Sequence, residues 1–92
     1  MYPHSESTKQ KAYERQIKRN YGITLEDYHR MYENQDGVCA GCKQSSEVKF
    51  HIDHDHHTGR VRGLLCGNCN KALGLLHDNP NTLKNLIEYL ND

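Results

Sequence analysis

Four cysteines frame the middle of this 92-residue chain as two Cys-x-x-Cys pairs. They are Cys39, Cys42, Cys66 and Cys69. A two-residue spacer lets one tight turn present both thiolates to a single ion, and two such pairs supply the tetrahedral sulfur set that zinc takes. Two disulfides are the alternative, but the sequence shows no secretory signal and short cytosolic chains rarely keep disulfides. The spacing therefore predicts one structural zinc per chain, with no coordination position left for a substrate.

A second cluster of metal-binding residue types lies between the two pairs. It comprises His51, Asp53, His54, Asp55, His56 and His57. Asp53 can ligate a hard cation through oxygen, and Asn70, which follows a zinc cysteine, can offer an amide oxygen to the same ion. Two such ligands leave positions for water and phosphate, which is how Mg²⁺ is usually held. His54 is suited to take a proton from a water molecule, so the cluster predicts metal-assisted hydrolysis.

Local patterns predict the elements that position these residues. Residues 48–53 alternate in polarity, which favours a strand that ends at Asp53-His54. The side chains expected on its apolar face are Val48, Phe50 and Ile52. A turn at Thr58-Gly59 precedes a second strand over residues 61–65, and a helix follows over residues 68–77. The predicted order is strand, loop, strand, helix, and the cysteine pairs before the first strand and after the second hold the zinc at the base of this unit.

These residues stand in the order found in one family of nucleases. The run His51-Ile52-Asp53-His54-Asp55-His56, the segment VRGLLC at residues 61–66 and the pair Cys69-Asn70 resemble the recombination endonuclease VII family of phage nucleases. That family belongs to the HNH, or ββα-metal, nucleases, and the similarity covers residues 21–78. The resemblance implies an α+β fold class: a small zinc-stapled ββα-metal (HNH, or His-Me finger) fold with flanking N- and C-terminal helices.

The resemblance also implies a role for each site residue. Asp53 and Asn70 would bind the catalytic Mg²⁺ or Mn²⁺, His54 would be the general base, and His56 would assist near the phosphate. The four cysteines would hold the structural zinc. The wider HNH pattern has a histidine where this chain has Asn70, and it has an asparagine between the strands that this chain lacks. The group that orients His54 is therefore left open.

Basic residues at helical spacing make the first helix a candidate nucleic-acid surface, although the formal net charge is zero. A helix over residues 8–21 places Tyr13, Ile17 and Tyr21 on one face and basic side chains on another. The basic face is either a solvated helix surface or a contact to DNA phosphates, and the two arginines beside the second strand have the same alternatives. The candidate nucleic-acid-binding residues are Lys11, Arg15, Lys18, Arg19, Arg60 and Arg62.

The chain is expected to form a single domain over residues 1–92, because its length suits one small core. Within it, residues 8–36 are the helical N-terminal part, residues 38–78 the zinc-bound ββα nuclease core, and residues 79–92 the C-terminal helix. Only 35% of the residues are hydrophobic, so a zinc staple is physically expected.

Two further patterns concern the helices. Thr24, with Asp27 three residues later, resembles a capping box at the start of a second helix over residues 25–35. An apolar stripe in the C-terminal helix either covers the core or makes a small dimer contact. The residues of that stripe are Leu83, Leu86, Ile87 and Leu90.

With the resemblance, the sequence predicts a metal-dependent DNA endonuclease that nicks and leaves 5′-phosphate and 3′-hydroxyl ends. The alternative is a non-catalytic zinc-ribbon module that binds nucleic acid, and a metal-dependent RNase shares the chemistry. The expected partner is double-stranded DNA, including branched or nicked forms, bound by a monomer or weak homodimer. No apolar run approaches the ~20 residues of a membrane span, and a phage-encoded protein acting in the host cytoplasm is expected.

Overall fold

The computed structural model describes the backbone of residues 4–91 and the side chains of residues 10–91. Over this range the chain forms four helices and a two-stranded sheet, which is the α+β class predicted. The elements are α1 (His4–Tyr21), α2 (Leu25–Asn34), β1 (His51–His54), β2 (Val61–Leu65), α3 (Gly67–Leu75) and α4 (Pro80–Asn91). The predicted single domain also includes residues 1–3 and 92, which lie outside the described residues. None of the helices described is both long and apolar enough to span a bilayer.

Side chains fix where α2 and α3 begin. The Asp27 amide donates to Thr24 Oγ1 at 3.0 Å, and the Thr24 amide donates to Asp27 Oδ2 at 2.9 Å, so the predicted capping box is confirmed. In α3 a predicted zinc ligand is the N-cap, because Cys66 Sγ accepts from the Cys69 amide at 3.4 Å. The start of α3 is therefore tied directly to the cysteine cluster.

A tight turn ends α3 before the predicted boundary at residue 77. The His77 amide donates to the Gly74 carbonyl at 3.1 Å, and the Asp78 amide donates to the Leu73 carbonyl at 2.9 Å. These two bonds form a Schellman motif, which satisfies carbonyl groups of the last helical turn. The turn reverses the chain and brings Asp78 back alongside the helix.

β1 and β2 pair antiparallel with an irregularity at the loop end of the hairpin. Asp53 lies opposite Gly63, but His54 lies opposite Val61, so Arg62 is the extra residue of a β-bulge. In an unbroken ladder Arg62 and Gly63 would face opposite sides of the sheet. The bulge lets Arg62 turn to the side that carries Asp53.

The core is small and lies between the hairpin and the first two helices. Its buried residues are Ile17, Tyr28, Cys39, Phe50, Ile52, Leu64 and Leu65. The Tyr28 hydroxyl donates to the Phe50 carbonyl at 3.3 Å. The Gln35 side-chain amide pairs with the Leu64 backbone, since its Nε2 donates to the carbonyl at 3.0 Å and its Oε1 accepts from the amide at 2.9 Å. Gln35 thereby satisfies backbone groups at the edge of β2 that have no strand partner.

β1 is shorter than the sequence predicts. Val48 is 77% exposed and lies before the strand, so its predicted place on the apolar face is wrong, whereas Phe50 and Ile52 are buried as expected. β2 ends at Leu65, opposite His51, because α3 starts immediately afterwards. Residues before His51 therefore have no ladder partner on β2.

The apolar stripe of α4 does not cover the core. Leu86, Ile87 and Leu90 are 42%, 59% and 80% exposed, so that prediction is wrong for the chain as described. The core is closed instead by α1, α2 and their linker, whose Tyr21 and Ile23 pack against it. Helical periodicity identifies an apolar face but not what the face packs on. A small dimer contact stays a prediction.

Candidate functional site

The four cysteines converge on one point. Their sulfur atoms all lie within 4.8 Å of one another, and none forms a disulfide. The amides of Gly41 and Cys66 each donate to Cys39 Sγ at 3.3 Å. Amide donors favour the thiolate, which is the metal-binding form. The cluster has the ligand number and type of a structural Zn²⁺ site.

The pKa shifts of these thiols are also consistent with a bound cation. Burial raises the pKa of the Cys39 thiol, but the backbone amides that point at its sulfur outweigh burial and leave the pKa below its usual value. Burial, the neighbouring sulfurs and the charge on Cys39 together raise the pKa of Cys69. Four thiolates in this space need a compensating positive charge, which a divalent metal ion supplies.

A cleft of about 280 Å³ lies beside the cysteine cluster, at the end of the hairpin. It is lined by Tyr21, His51, Ile52, Asp53, His54, His56, Asn70, Gly74 and Asp78. All four residues assigned catalytic roles from the sequence, Asp53, His54, His56 and Asn70, therefore lie in one cleft although Asn70 is on a different element. Carboxylate and amide oxygens in one cleft are a donor set that fits Mg²⁺ or Mn²⁺.

Three separate structural features bring the four residues with proposed catalytic roles together. β1 carries Asp53 and His54 to the end of the hairpin, and Cys66, as the N-cap of α3, sets the first turn that contains Asn70. Asp55 shapes the loop that carries His56, because its Oδ1 accepts from the amides of His57 at 2.7 Å and Thr58 at 3.1 Å. Those amide bonds also hold the pKa of Asp55 below its usual value. Asp55 therefore builds the loop, and His57 lies exposed on it.

Aromatic rings surround the His54 imidazole. The Tyr21 ring centroid lies 5.3 Å from it, and the His56 centroid lies 4.8 Å from it. The sequence left open the group that orients His54, and Tyr21 was assigned only to a helix face. The spacing of Tyr13, Ile17 and Tyr21 predicted that they share a helix face, but it did not predict which residues that face contacts.

Arg62 makes a network that the sequence did not predict. Its Nε donates to Asp53 Oδ2 at 2.7 Å, its Nη2 donates to Asp53 Oδ1 at 2.9 Å, and the same Nη2 donates to Asp78 Oδ2 at 3.3 Å. These carboxylates raise the pKa of Arg62 above its already high value. The sequence predicted no functional role for Asp78. Arg62, a predicted phosphate contact, is thus hydrogen-bonded to Asp53, the predicted ligand of the catalytic cation.

Arg62 lies at the edge of this cleft, since it pairs with two of the lining residues, and the other predicted nucleic-acid-binding residues lie outside it. Arg15, Lys18 and Arg19 line a shallow groove of about 410 Å³ along α1, whose other lining residues are Glu14, Thr24 and Leu25. Lys11 and Arg60 are exposed. The basic face of α1 is therefore distinct from the face that reaches the cleft through Tyr21.

A further groove adjoins the cleft and contains a lysine that the sequence did not single out. It has a volume of about 280 Å³ and is lined by Tyr13, Gln16, Ile17, Tyr21, Lys49, Phe50, His51 and Ile52, so it shares Tyr21, His51 and Ile52 with the cleft. Lys49 Nζ lies 3.6 Å from the centroid of the Tyr13 ring. Burial is the main cause that raises the pKa of Tyr13 to about 12, so the ring stays a neutral phenol. Lys49 is held by a cation–π contact at the edge of this groove.

These features define a class of small α+β protein in which a four-cysteine cluster joins an antiparallel hairpin to a helix beside a cleft that holds His, Asp and Asn. The model of one family, recombination endonuclease VII, matches residues 14–92 of the chain. The protein belongs to this family, which confirms the resemblance found in the sequence.

Two phage proteins are similar to most of this chain. It is 45% identical over 82 residues to the Gene 59 protein of Mycobacterium phage L5, and 44% identical over 82 residues to the Gene 59 protein of Mycobacterium phage D29. Each alignment covers 86% of this chain and 50% of the relative. The chain therefore spans about half the length of these curated relatives.

Proposed function

We propose that this protein is an HNH-type endonuclease that hydrolyses phosphodiester bonds in DNA with a bound divalent cation. The observation that carries the proposal is the common cleft of Asp53, His54, His56 and Asn70 beside the cysteine cluster. Membership of the recombination endonuclease VII family supports the same reaction class.

In the proposed mechanism each cleft residue has a distinct task. Asp53 and Asn70 would hold Mg²⁺ or Mn²⁺, which when bound stabilises negative charge on the phosphate and on the departing oxygen. His54 takes the proton from the attacking water, and Tyr21 limits the directions in which its imidazole can point. His56, whose ring is in contact with His54, binds near the phosphate. Cleavage of the bond to the 3′-oxygen leaves 5′-phosphate and 3′-hydroxyl ends.

The zinc has a structural task in this proposal. The four cysteines fill a tetrahedral coordination sphere, so the metal has no open position for water or substrate. It fixes the first turn of α3 through Cys66, and with that turn it fixes Asn70. Loss of zinc would therefore separate Asn70 from Asp53.

The proposed substrate is double-stranded DNA, including branched or nicked forms. Lys11, Arg15, Lys18, Arg19, Arg60 and Arg62 are the proposed backbone contacts. One cleft acts on one strand, so a monomer or weak homodimer nicks. The similar proteins come from phages, and we infer that this chain acts in the cytoplasm of a phage-infected cell.

A non-catalytic zinc-ribbon module explains the cysteines but not the cleft. Asp53 and Asp78 both line it, and carboxylates repel phosphates unless a cation lies between them. The single guanidinium of Arg62 pairs with both carboxylates, so a net negative charge remains, for which a module that only bound nucleic acid has no use.

The proposal is tested with zinc-loaded protein and supercoiled plasmid, incubated in parallel with Mg²⁺, with Mn²⁺ or with no added divalent cation. Conversion to the nicked circle is expected only with added cation, and end labelling should find 5′-phosphate termini. Single-stranded RNA of mixed sequence serves as a parallel substrate. Absence of nicking with both cations would reject the endonuclease, and faster cleavage of RNA than DNA would reassign the substrate.

A further inference from the structure

We propose that Asp78 is a positioning residue that keeps Arg62 at the edge of the cleft when a divalent cation occupies Asp53. The guanidinium then stays available to the substrate phosphate instead of leaving the site. This inference rests on the endonuclease function proposed above.

Arg62 and a divalent cation compete for Asp53. Both carboxylate oxygens of Asp53 accept from Arg62, at 2.7 and 2.9 Å, and the Asp53 side chain is only 12% exposed. A divalent cation on the same oxygens would stand next to a fixed positive charge, and like charges at this distance repel. Cation binding must therefore weaken the bidentate pair.

Asp78 gives Arg62 another hydrogen-bond acceptor. Asp78 Oδ2 lies 3.3 Å from Arg62 Nη2, and the Asp78 side chain is 22% exposed. A guanidinium has five N–H donors, so one can stay on Asp78 while the others turn to a phosphate. Arginine binds phosphate with two parallel hydrogen bonds, a geometry that requires its plane to be held.

The backbone conformation at Arg62 and at Asp78 brings the two side chains together. Arg62 is the extra residue of the β-bulge, and bulges are a common means of re-aiming a side chain beside a site. Asp78 has φ 54°, in the left-handed region. The corresponding position of the same motif after α2 is Gly37, with φ 72°. Glycine takes this conformation without steric cost and aspartate tolerates it, and in this turn the Asp78 carboxylate reaches Arg62.

The test measures Mn²⁺ binding to the zinc-loaded protein by the EPR signal of free Mn²⁺, without DNA. Asp78→Asn keeps the side-chain size and tolerates the backbone conformation. It should lower Mn²⁺ affinity roughly 3- to 10-fold, because Arg62 then has Asp53 as its remaining charged partner. Arg62→Gln should raise the affinity. In the Arg62→Gln background, Asp78→Asn should change it less than about twofold, since only the screened charge effect is left.

Two further variants complete the test. Asp36→Asn is the matched control, because Asp36 also has positive φ (56°) in the turn after α2 but does not line the cleft, and it should bind Mn²⁺ like the wild type. Asp78→Gly suits the backbone, so it should melt at or above the wild-type temperature and still show the reduced affinity.

The possible outcomes distinguish a failure of the positioning role of Asp78 from a failure of the proposed endonuclease function. If wild-type protein binds no Mn²⁺, the proposed cation-dependent nuclease fails and the inference with it. If wild type binds Mn²⁺ but Asp78→Asn lowers the affinity equally with and without Arg62, Asp78 is a direct cation ligand. If Asp78→Asn changes nothing in either background, Asp78 has no role at the site. Either of the last two results overturns the positioning role and leaves the nuclease in place.

Discussion

The Tyr21 ring packs against the His54 imidazole, with the ring centroids 5.3 Å apart and the planes inclined at 57°. Tyr21 is the last residue of α1, and Ile17, one turn earlier, is 1% exposed, so the core fixes the register of the helix end. A ring on a rigid element can restrict the orientation of a general base without donating to it. The contact supplies a physical candidate for what orients His54.

Tyr21→Ala should lower the single-turnover cleavage rate by about tenfold or more, because a freed imidazole spends less time in line with the attacking water. DNA affinity should change little. Tyr21→Phe keeps the ring and should cleave nearly as fast as wild type. If Tyr21→Phe is as slow as Tyr21→Ala, the hydroxyl acts rather than the ring, and the packing explanation is wrong.

Removal of zinc should unfold the domain. The buried core comprises few large side chains, so the metal contributes folding free energy that packing alone does not supply. Elemental analysis should find about one zinc per chain, as a single tetrahedral site requires. Cys66→Ser should lose zinc and its cooperative melting transition, followed by circular dichroism. The control is Asn68→Ser, an exposed change within the same Cys-x-x-Cys turn, which should keep both. A folded, zinc-free protein would contradict this account.

Lys49 should contact DNA beside the scissile phosphate. Its groove shares residues with the cleft and has no carboxylate among the described residues that line it, and the Tyr13 ring holds the ammonium in place. Lys49→Gln should weaken DNA binding and reduce its salt slope by about one, the effect of one lost phosphate contact. Fluorescence anisotropy at several salt concentrations measures both quantities. Lys84→Gln, on α4, is the control, and an equal effect of the two changes would show only a response to net charge.

The exposed face of α4 should contribute little to stability. Ile87→Ala and Leu90→Ala should each change the free energy of unfolding by less than about 0.5 kcal/mol, as surface substitutions usually do. Leu64→Ala, which empties a fully buried position, should cost about 2–5 kcal/mol. Urea denaturation gives these values. A loss of more than about 1 kcal/mol at Leu90 would mean that the stripe is covered in solution, and sedimentation would then show whether a second copy covers it.

Features encoded by neighbouring residues could be predicted from the sequence. The cysteine spacing predicted one cluster, the Thr24 and Asp27 pair predicted the start of α2, and the motif order predicted that Asp53 and Asn70 face one cleft. Each depends on chain geometry within a few residues, or on a ligand set that only one arrangement satisfies. The family assignment depends on the same residues and is confirmed.

Features that depend on register and packing could not be predicted. Arg62 reaches Asp53 because a β-bulge shifts the strand pairing by one residue, and no residue type in the sequence indicates that shift. Asp78 reaches Arg62 because α3 ends in a turn with two consecutive left-handed residues, neither of which is glycine. Val48 alternates correctly but has no partner strand. In each case the missing information was which element lies opposite.

The central claim is that His54 acts as the general base of a cation-dependent endonuclease, and a single-turnover time course tests it most directly. Wild type and His54→Ala are compared on a labelled duplex at saturating protein in Mg²⁺, with equal zinc content and DNA affinity verified first. His57→Ala, an exposed histidine on the same loop, is the matched control. The account predicts a rate lower by about 10²–10⁴-fold for His54→Ala and an unchanged rate for His57→Ala. Equal rates for His54→Ala and wild type would contradict it.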